Sequence, residues 1–236
     1  VDTYVPPKGK HTLTPEEKIA ERGMRLVNKY NCVGCHKVDG ERGDLLKIYD
    51  DVNQAPPRLV EQGHRVQSEW FHYFLDNVYP IRPWIDVRMP SFNLTDEEIN
   101  TIVTGFQAKA GVRTFVDLEE KLQWKPGEKE AAKKLFDQFG CVSCHSQGLD
   151  SSITPQAPDL HYVKRRLRPS WVKKWLKDPQ AILPGTTMPN FWFDGQSMAP
   201  GVLDGDMEKQ LDALTKYIYE MGYDAYGPEQ RREENK

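Results

Sequence analysis

The sequence predicts an all-α chain made of two tandem copies of one small helical module. Helix-start signals followed by apolar residues at helical spacing recur along the 236 residues, first at Thr14 and again at Thr95. A set of landmark residues then repeats at a constant spacing. Hydrophobic residues make up only 38% of the sequence, so we expect something other than side chains to fill part of the interior.

The repeat sets the domain organisation. Five landmark residues have an equivalent 101 positions later: Pro57, Leu59, Trp70, Phe74 and Leu75 correspond to Pro158, Leu160, Trp171, Trp175 and Leu176. We therefore predict an N-terminal arm, a first module, a linker, a second module and a charged, loose tail, which span residues 1–13, 14–112, 113–126, 127–224 and 225–236.

The elements of the first module follow from local signals. Thr14-Pro15-Glu16-Glu17 is a capping box with proline at the first helical position, and it predicts a helix over residues 15–30. A second helical stretch holds Trp70 and Phe74. The box Thr95-Asp96-Glu97-Glu98 opens a third helix, which Gly111 is expected to end. In the second module the same signals predict helices over residues 128–139, 171–176 and 207–221.

Each module carries one Cys-x-x-Cys-His motif, at Cys32 to His36 and at Cys141 to His145. This motif is typical of covalent haem attachment, because two thiols one helical turn apart can form thioethers while the next histidine faces the iron. Paired cysteines also build zinc ribbons and redox sites, but a ribbon separates its pairs by roughly 15 to 20 residues. Here Cys35 and Cys141 are 106 positions apart, so we predict two covalently bound haem c groups, attached through Cys32, Cys35, Cys141 and Cys144.

Composition narrows the cellular setting. A net charge of −3 argues against nucleic acid as a partner, and no apolar run approaches the roughly 18 residues of a spanning helix. Thioether attachment normally takes place outside the cytoplasm. The protein is therefore expected to be periplasmic or otherwise extracytoplasmic, with its export signal cleaved.

His36 and His145 are the predicted proximal ligands, and the sixth ligands are predicted from the repeat. Met89 and Met188 are the methionines that match between the modules, and each is followed by Pro-x-Phe, a pattern that suits an irregular ligand loop. The alternatives are bis-His coordination through His64, His72 or His161, and, at the second site, Met198 or Met207.

These motifs resemble class I cytochromes c, and the resemblance covers most of residues 14–222. It implies that the carbonyls of Pro57 and Pro158 accept the N–H of the proximal imidazoles, although Pro56 and Ala157 stand where that family has glycine. It also places Trp70 and Trp171 near the haems, where they would help to exclude water.

The predicted function is single-electron transfer in an extracytoplasmic respiratory or photosynthetic chain, and not catalysis, because two six-coordinate irons leave no position for a substrate. The protein would be a soluble carrier or a subunit of a membrane-associated oxidoreductase complex. A dihaem peroxidase, which needs an iron able to open a site for peroxide, is the main alternative; a haem-based sensor or structural subunit is a third.

Redox proteins are the predicted partners, among them a membrane quinol-oxidising complex, an oxidase or a dehydrogenase. Residues 161–177 hold seven Lys or Arg residues and no acid, whereas the matching residues 60–76 hold a single arginine, Arg65. This contrast does not look like a folding requirement. The stretch 161–177 is therefore the candidate docking surface for an acidic partner, with an ordinary solvated helix as the alternative.

Overall fold

The computed structural model describes residues 12–112, 123–147 and 156–227. The helices of the first half are α1 (Pro15–Lys29), α2 (Cys32–Cys35), α3 (Gln62–Arg65), α4 (Ser68–Asp76) and α5 (Asp96–Lys109). Those of the second half are α6 (Glu128–Gln138), α7 (Val163–Arg166), α8 (Pro169–Lys177), α9 (Pro179–Ile182) and α10 (Met207–Glu220). The chain is mostly helical, as predicted.

Two short antiparallel hairpins are the strand content of the described residues. Strand β1 (Lys37–Val38) pairs with β2 (Glu41–Arg42), and β3 (Trp192–Phe193) pairs with β4 (Gln196–Ser197). Both lie between the predicted helices, and the all-α prediction does not include them. Each turns through residues with positive φ, such as Gly40 and Gly195, which glycine adopts without strain.

The first half is organised by the crossing of α1 and α5. Both capping boxes form: the hydroxyls of Thr14 and Thr95 accept from backbone N–H groups three residues on, and the glutamates there return the bond. At the crossing, the backbones meet at Gly23 and Gly105, where a Cβ built on either glycine would lie 2.6 Å from the Cα of the other. Only glycine at both positions allows the helices to approach this closely.

In the second half α6 packs against α10, and small residues again lie buried on the two helices. Ala132 and Ala213 are fully buried. The carboxylate of Glu128, at the start of α6, accepts from the Lys125 backbone N–H at 2.8 Å and pairs with the ammonium of Lys216 on α10 at 2.7 Å. The pair ties the two helices together at an otherwise buried position.

The two halves meet along an antiparallel backbone contact whose bonds come in matched pairs. Val66 bridges Leu167, its equivalent 101 positions later. The N–H of Gln67 donates to the Arg166 carbonyl at 2.9 Å, and the N–H of Arg168 donates to the Arg65 carbonyl at 3.0 Å. Exchanging equivalent residues converts each of these bonds into the other, which describes a local twofold relation between the halves.

The helix bounds agree with the sequence predictions to within a few residues, but the prediction for the tail is wrong at its start. Ala225 is fully buried, and the Tyr226 carbonyl accepts a hydrogen bond from the Tyr79 hydroxyl at 2.7 Å. The Tyr226 hydroxyl donates to Glu69. The tail thus begins by packing on the first half. Most of the arm, most of the linker and residues 228–236 lie outside the described residues.

None of the helices in the described ranges combines the length and the apolar character that crossing a membrane requires.

We predict that Gly105→Ala destabilises the protein by about 1–3 kcal/mol, the usual effect of forcing extra volume into a packed core. The added methyl group would meet backbone atoms of α1, which cannot move aside as a side chain can. Denaturant unfolding of the purified protein measures the change.

Gly201→Ala is the matched control, because a Cβ there meets nothing within 4 Å. Equal stability of the two variants would show that the α1–α5 crossing tolerates a side chain.

Candidate cofactor site

Before each Cys-x-x-Cys-His motif, a residue in the left-handed backbone conformation turns the chain out of the preceding helix. Asn31, with φ 53°, follows α1, and Gly140, with φ 64°, follows α6. The motif then forms a single tight turn, closed by the His36 N–H on the Cys32 carbonyl at 2.8 Å and by the His145 N–H on the Cys141 carbonyl at 3.0 Å. Both cysteines and the histidine are therefore presented on a short, fixed segment.

Each motif histidine is oriented by a proline carbonyl. The distance from Nδ1 to the carbonyl oxygen is 2.8 Å for His36 and Pro57, and 2.6 Å for His145 and Pro158. Because a carbonyl can only accept, the proton must sit on Nδ1, which leaves the Nε2 lone pair available to a metal. The turns form although Pro56 and Ala157 replace glycine.

The electrostatics keep both imidazoles in the ligating form. Burial lowers the pKa of His36, and the positive charge of Arg82 lowers it further, while the bond to the Pro57 carbonyl opposes the change. Burial likewise lowers the pKa of His145. A neutral imidazole is the form that binds iron.

A cavity of about 410 Å³ opens beside the first motif. The predicted site residues of the first half all line it: Cys32, Cys35, His36, Pro57, Trp70 and Met89. Most of the remaining wall is apolar, with Phe71, Ile102 and Phe106 among the buried residues. Two thiols, an imidazole nitrogen and a thioether therefore face one apolar space, a donor set and shape that fit haem c.

The site residues of the second half are placed by similar contacts. Cys141 and Met188 pack against the buried core, and Cys144 is exposed. Residues 148–155, which follow the motif, lie outside the described residues. The Met188 sulfur accepts a hydrogen bond from the indole N–H of Trp175 at 2.8 Å, a contact that the sequence analysis missed.

The tryptophans of the two halves stack on matching aromatic neighbours. Trp70 stacks on Phe74 with ring centroids 4.9 Å apart, and Trp171 stacks on Trp175 at 5.4 Å. Trp70 also donates its N–H to the hydroxyl of Tyr79 at 3.0 Å. At the equivalent positions, Trp175 has an N–H that can donate to a methionine sulfur, whereas Phe74 has none.

The alternative histidines do not line the cavity beside the first motif. His64 is exposed, the ring of His161 packs on Tyr223 with centroids 4.5 Å apart, and neither these two histidines nor His72 line that cavity. Met198 is 64% exposed, and Met207 packs at the edge of the core. Among the residues that the structure describes, no three His, Cys, Asp or Glu side chains converge on one point.

Acids from other segments pair with most of the positive side chains of residues 161–177. Lys164 and Arg165 pair with Asp224, and Lys173 and Lys177 pair with Glu208. Lys174 pairs with Glu61 at 2.5 Å. Arg168 donates to the Val66 carbonyl at 3.0 Å, and Arg166 is buried. Contacts within the fold thus account for the contrast with residues 60–76.

Sequence reasoning also missed Arg65 and Arg166. They are 101 positions apart, so the repeat could have singled them out, but arginine is usually a surface residue and its repetition carries no chemical signature. Both line the cavity, as does Arg82, whose guanidinium donates to the Ala55 carbonyl at 2.6 Å.

Comparison with protein families matches residues 20–104 to the family model described as Cytochrome c. The matched residues include the first Cys-x-x-Cys-His motif, Pro57, Trp70 and Met89; the second motif lies beyond them. Searches of curated proteins and of solved structures found no match. The geometry of the first half and the family match agree: the predicted haem-site residues of that half all lie within the stretch that is similar to the Cytochrome c family.

Proposed function

We propose that the chain is a dihaem c-type cytochrome that passes single electrons between redox proteins. The proposal rests on the matching hydrogen bonds that the two motif histidines make. Each donates from Nδ1 to the carbonyl of a proline at the equivalent position, Pro57 or Pro158, and each has a Met-Pro loop in its own half. Two motif histidines held in the same way support two cofactors and a duplicated cytochrome c domain.

The residues have separate roles in this proposal. Cys32, Cys35, Cys141 and Cys144 would attach the porphyrins, and His36, Met89, His145 and Met188 would bind the iron. The haems would supply a one-electron change between ferric and ferrous iron. The proline carbonyls hold the imidazoles in place, and the apolar wall around Trp70 excludes water, which favours the less charged ferrous state.

Ligation on both sides of each iron supports a carrier over an enzyme. A methionine side chain is available in each half, so neither site is built with a position for peroxide. The partners in this proposal are redox proteins of an extracytoplasmic electron-transfer chain, such as a quinol-oxidising complex, an oxidase or a dehydrogenase. Residues 161–177 remain a candidate docking surface. Their pairing with Asp224, Glu208 and Glu61 leaves less positive charge to attract an acidic partner.

We expect protein matured in a haem-attaching host to carry two covalent haems that survive acid and organic extraction. Intact-mass spectrometry measures the number directly. Replacing Cys141 and Cys144 together with alanine should remove one haem and leave the other. A native protein with a single haem would contradict the proposal and would leave only the first site.

Replacing Met89 or Met188 with alanine should remove about half of the far-red sulfur-to-iron absorption and lower the potential of that haem, because the soft thioether favours ferrous iron. Met198→Ala is the control and should leave the spectrum unchanged. If both variants keep the full absorption, the sixth ligands are other residues. Peroxide turnover by native protein would favour the peroxidase alternative.

Trp175→Phe should lower the potential of the second haem by up to about 60 mV, which is one ordinary hydrogen bond of ~1.4 kcal/mol expressed for one electron. The indole N–H withdraws electron density from the Met188 sulfur and so disfavours ferric iron; phenylalanine is the residue found at the equivalent position, Phe74.

Spectroelectrochemical titration measures the effect, and Met188→Ala identifies which potential belongs to the second haem. Phe74→Leu is the control, since it alters the other half. An unchanged second potential in Trp175→Phe would show that the bond does not act on the ligand.

A further inference from the structure

The end of the second half crosses onto the first half as a short segment, residues 224–227, which we call the C-terminal strap. The carboxylate of Asp224 pairs with the ammonium of Lys164 on α7 at 2.8 Å. Two residues later, the ring of Tyr226 packs on Tyr73 of α4 with centroids 5.5 Å apart. The strap is therefore held on the second half by charge and on the first half by packing.

The backbone of the strap binds a side chain of the first half. The Tyr226 carbonyl accepts a hydrogen bond from the Tyr79 hydroxyl at 2.7 Å, and the same hydroxyl accepts from the indole N–H of Trp70 at 3.0 Å. Because a carbonyl can only accept, the hydroxyl must donate to the strap and offer a lone pair to the indole. Burial raises the pKa of Tyr79, so the hydroxyl keeps the proton that this bond needs. One hydroxyl thus links the strap to Trp70.

The linked side chains belong to the wall of the 410 Å³ cavity beside the first motif. Trp70, Phe74 and Tyr79 all line it, and Trp70 is only 2% exposed. Phe74 stacks on Trp70 and meets Tyr79 edge-on with ring centroids 5.6 Å apart. Gly227 of the strap lies close to the Tyr79 ring, since a Cβ built on it would be 2.8 Å from Cε1. The strap therefore packs against the same ring whose hydroxyl it binds.

The halves use this position differently. The residue 101 positions after Tyr79 is Gln180, and its amide donates to the carbonyls of Thr186 and Met188. A change in the link between Trp70 and the strap should therefore act on the first site and not on the second.

We propose that the Tyr79 side chain and the Tyr226 carbonyl are positioning groups of the first cofactor site. They hold Trp70 in the cavity wall and so keep water away from the group bound there. The second half, through its C-terminal strap, thereby completes the site of the first half. The inference rests on the proposed function for the haem of the first motif, and shielding that haem favours the less charged ferrous state.

The first test is Tyr79→Phe in the full-length ferrous holoprotein, which removes the hydroxyl and keeps the ring. We expect the indole N–H of Trp70 to exchange with solvent at least about 10-fold faster, because it loses its acceptor and the wall opens locally at lower cost. NMR of the diamagnetic ferrous protein measures the rate, and Trp70→Phe identifies the signal. A chain that ends at Tyr223 lacks the strap and should change in the same direction.

The second readout is the potential of the first haem. Both variants should raise the ferric-to-ferrous ratio of this haem by up to about tenfold, which lowers its potential by up to about 59 mV. The second potential, identified through Met188→Ala, should stay at its wild-type value. A tyrosine that only packed in the core would lower the stability in denaturant unfolding and leave the first potential unchanged.

A chain that ends at Glu229 is the matched control for the truncation, because it keeps residues 224–227. Tyr217→Phe is the control for the loss of a hydroxyl, since Tyr217 lies on α10 and packs on Phe136 with centroids 5.3 Å apart. Both controls should match the wild type in exchange rate and in the first potential.

A wild-type exchange rate or an unchanged first potential in Tyr79→Phe would overturn the inference. Equal changes in the chains that end at Tyr223 and at Glu229 would overturn it too, because the strap would then not be their cause. A single haem per chain would contradict the two-haem function and leave this test intact, since Trp70 and Tyr79 line the first cavity.

Discussion

The hydrogen bond from a motif histidine to a proline carbonyl is the constraint on which the rest of the site depends. A histidine tethered only by its place after Cys-x-x-Cys could present either ring nitrogen to the cavity. The carbonyl of Pro57 fixes the proton on Nδ1 and so fixes Nε2 as the ligating atom. That bond in turn requires the segment after Pro56 to run beside the motif, as it does where the Leu59 N–H donates to the Lys37 carbonyl at 2.9 Å. The second half meets the same demand with a different local sequence, since the Leu160 N–H donates to the Ser146 carbonyl at 3.2 Å.

Much of this architecture could be predicted from the sequence because its signals are local. A capping box or a Cys-x-x-Cys-His motif acts over a few residues, so helix bounds and the attachment turns follow from nearest neighbours. The family match over residues 20–104 supports the interpretation of the first motif. The repeat extends the same reasoning to the second motif, because Pro158 lies 101 positions after Pro57 and Met188 opens a Met-Pro-x-Phe sequence as Met89 does.

The features that sequence reasoning missed depend on contacts between distant segments. The sequence does not distinguish Trp175 from any core aromatic residue, and only the fold brings its N–H to the Met188 sulfur. A run of lysines and arginines looks like free charge until Glu61, Asp224 and Glu208 come to meet it from elsewhere in the chain. Tyr226 falls in a stretch that the sequence predicts to be a charged, loose tail, yet it packs on Tyr73 with ring centroids 5.5 Å apart. In each case the partner lies far along the chain, where periodicity and spacing carry no information.

The halves differ at a few positions, and these differences matter for the proposed electron transfer. The boundary itself is nearly symmetric. Gln67 and Arg168 make equivalent backbone bonds, and Arg65 lies over Trp171 as Arg166 lies over Trp70. Differences between the proposed sites come from positions where the halves diverge. The clearest is the pair Phe74 and Trp175, because only the indole can donate to a methionine sulfur. If Met188 binds the second haem as proposed, this hydrogen bond favours the ferrous state of that haem.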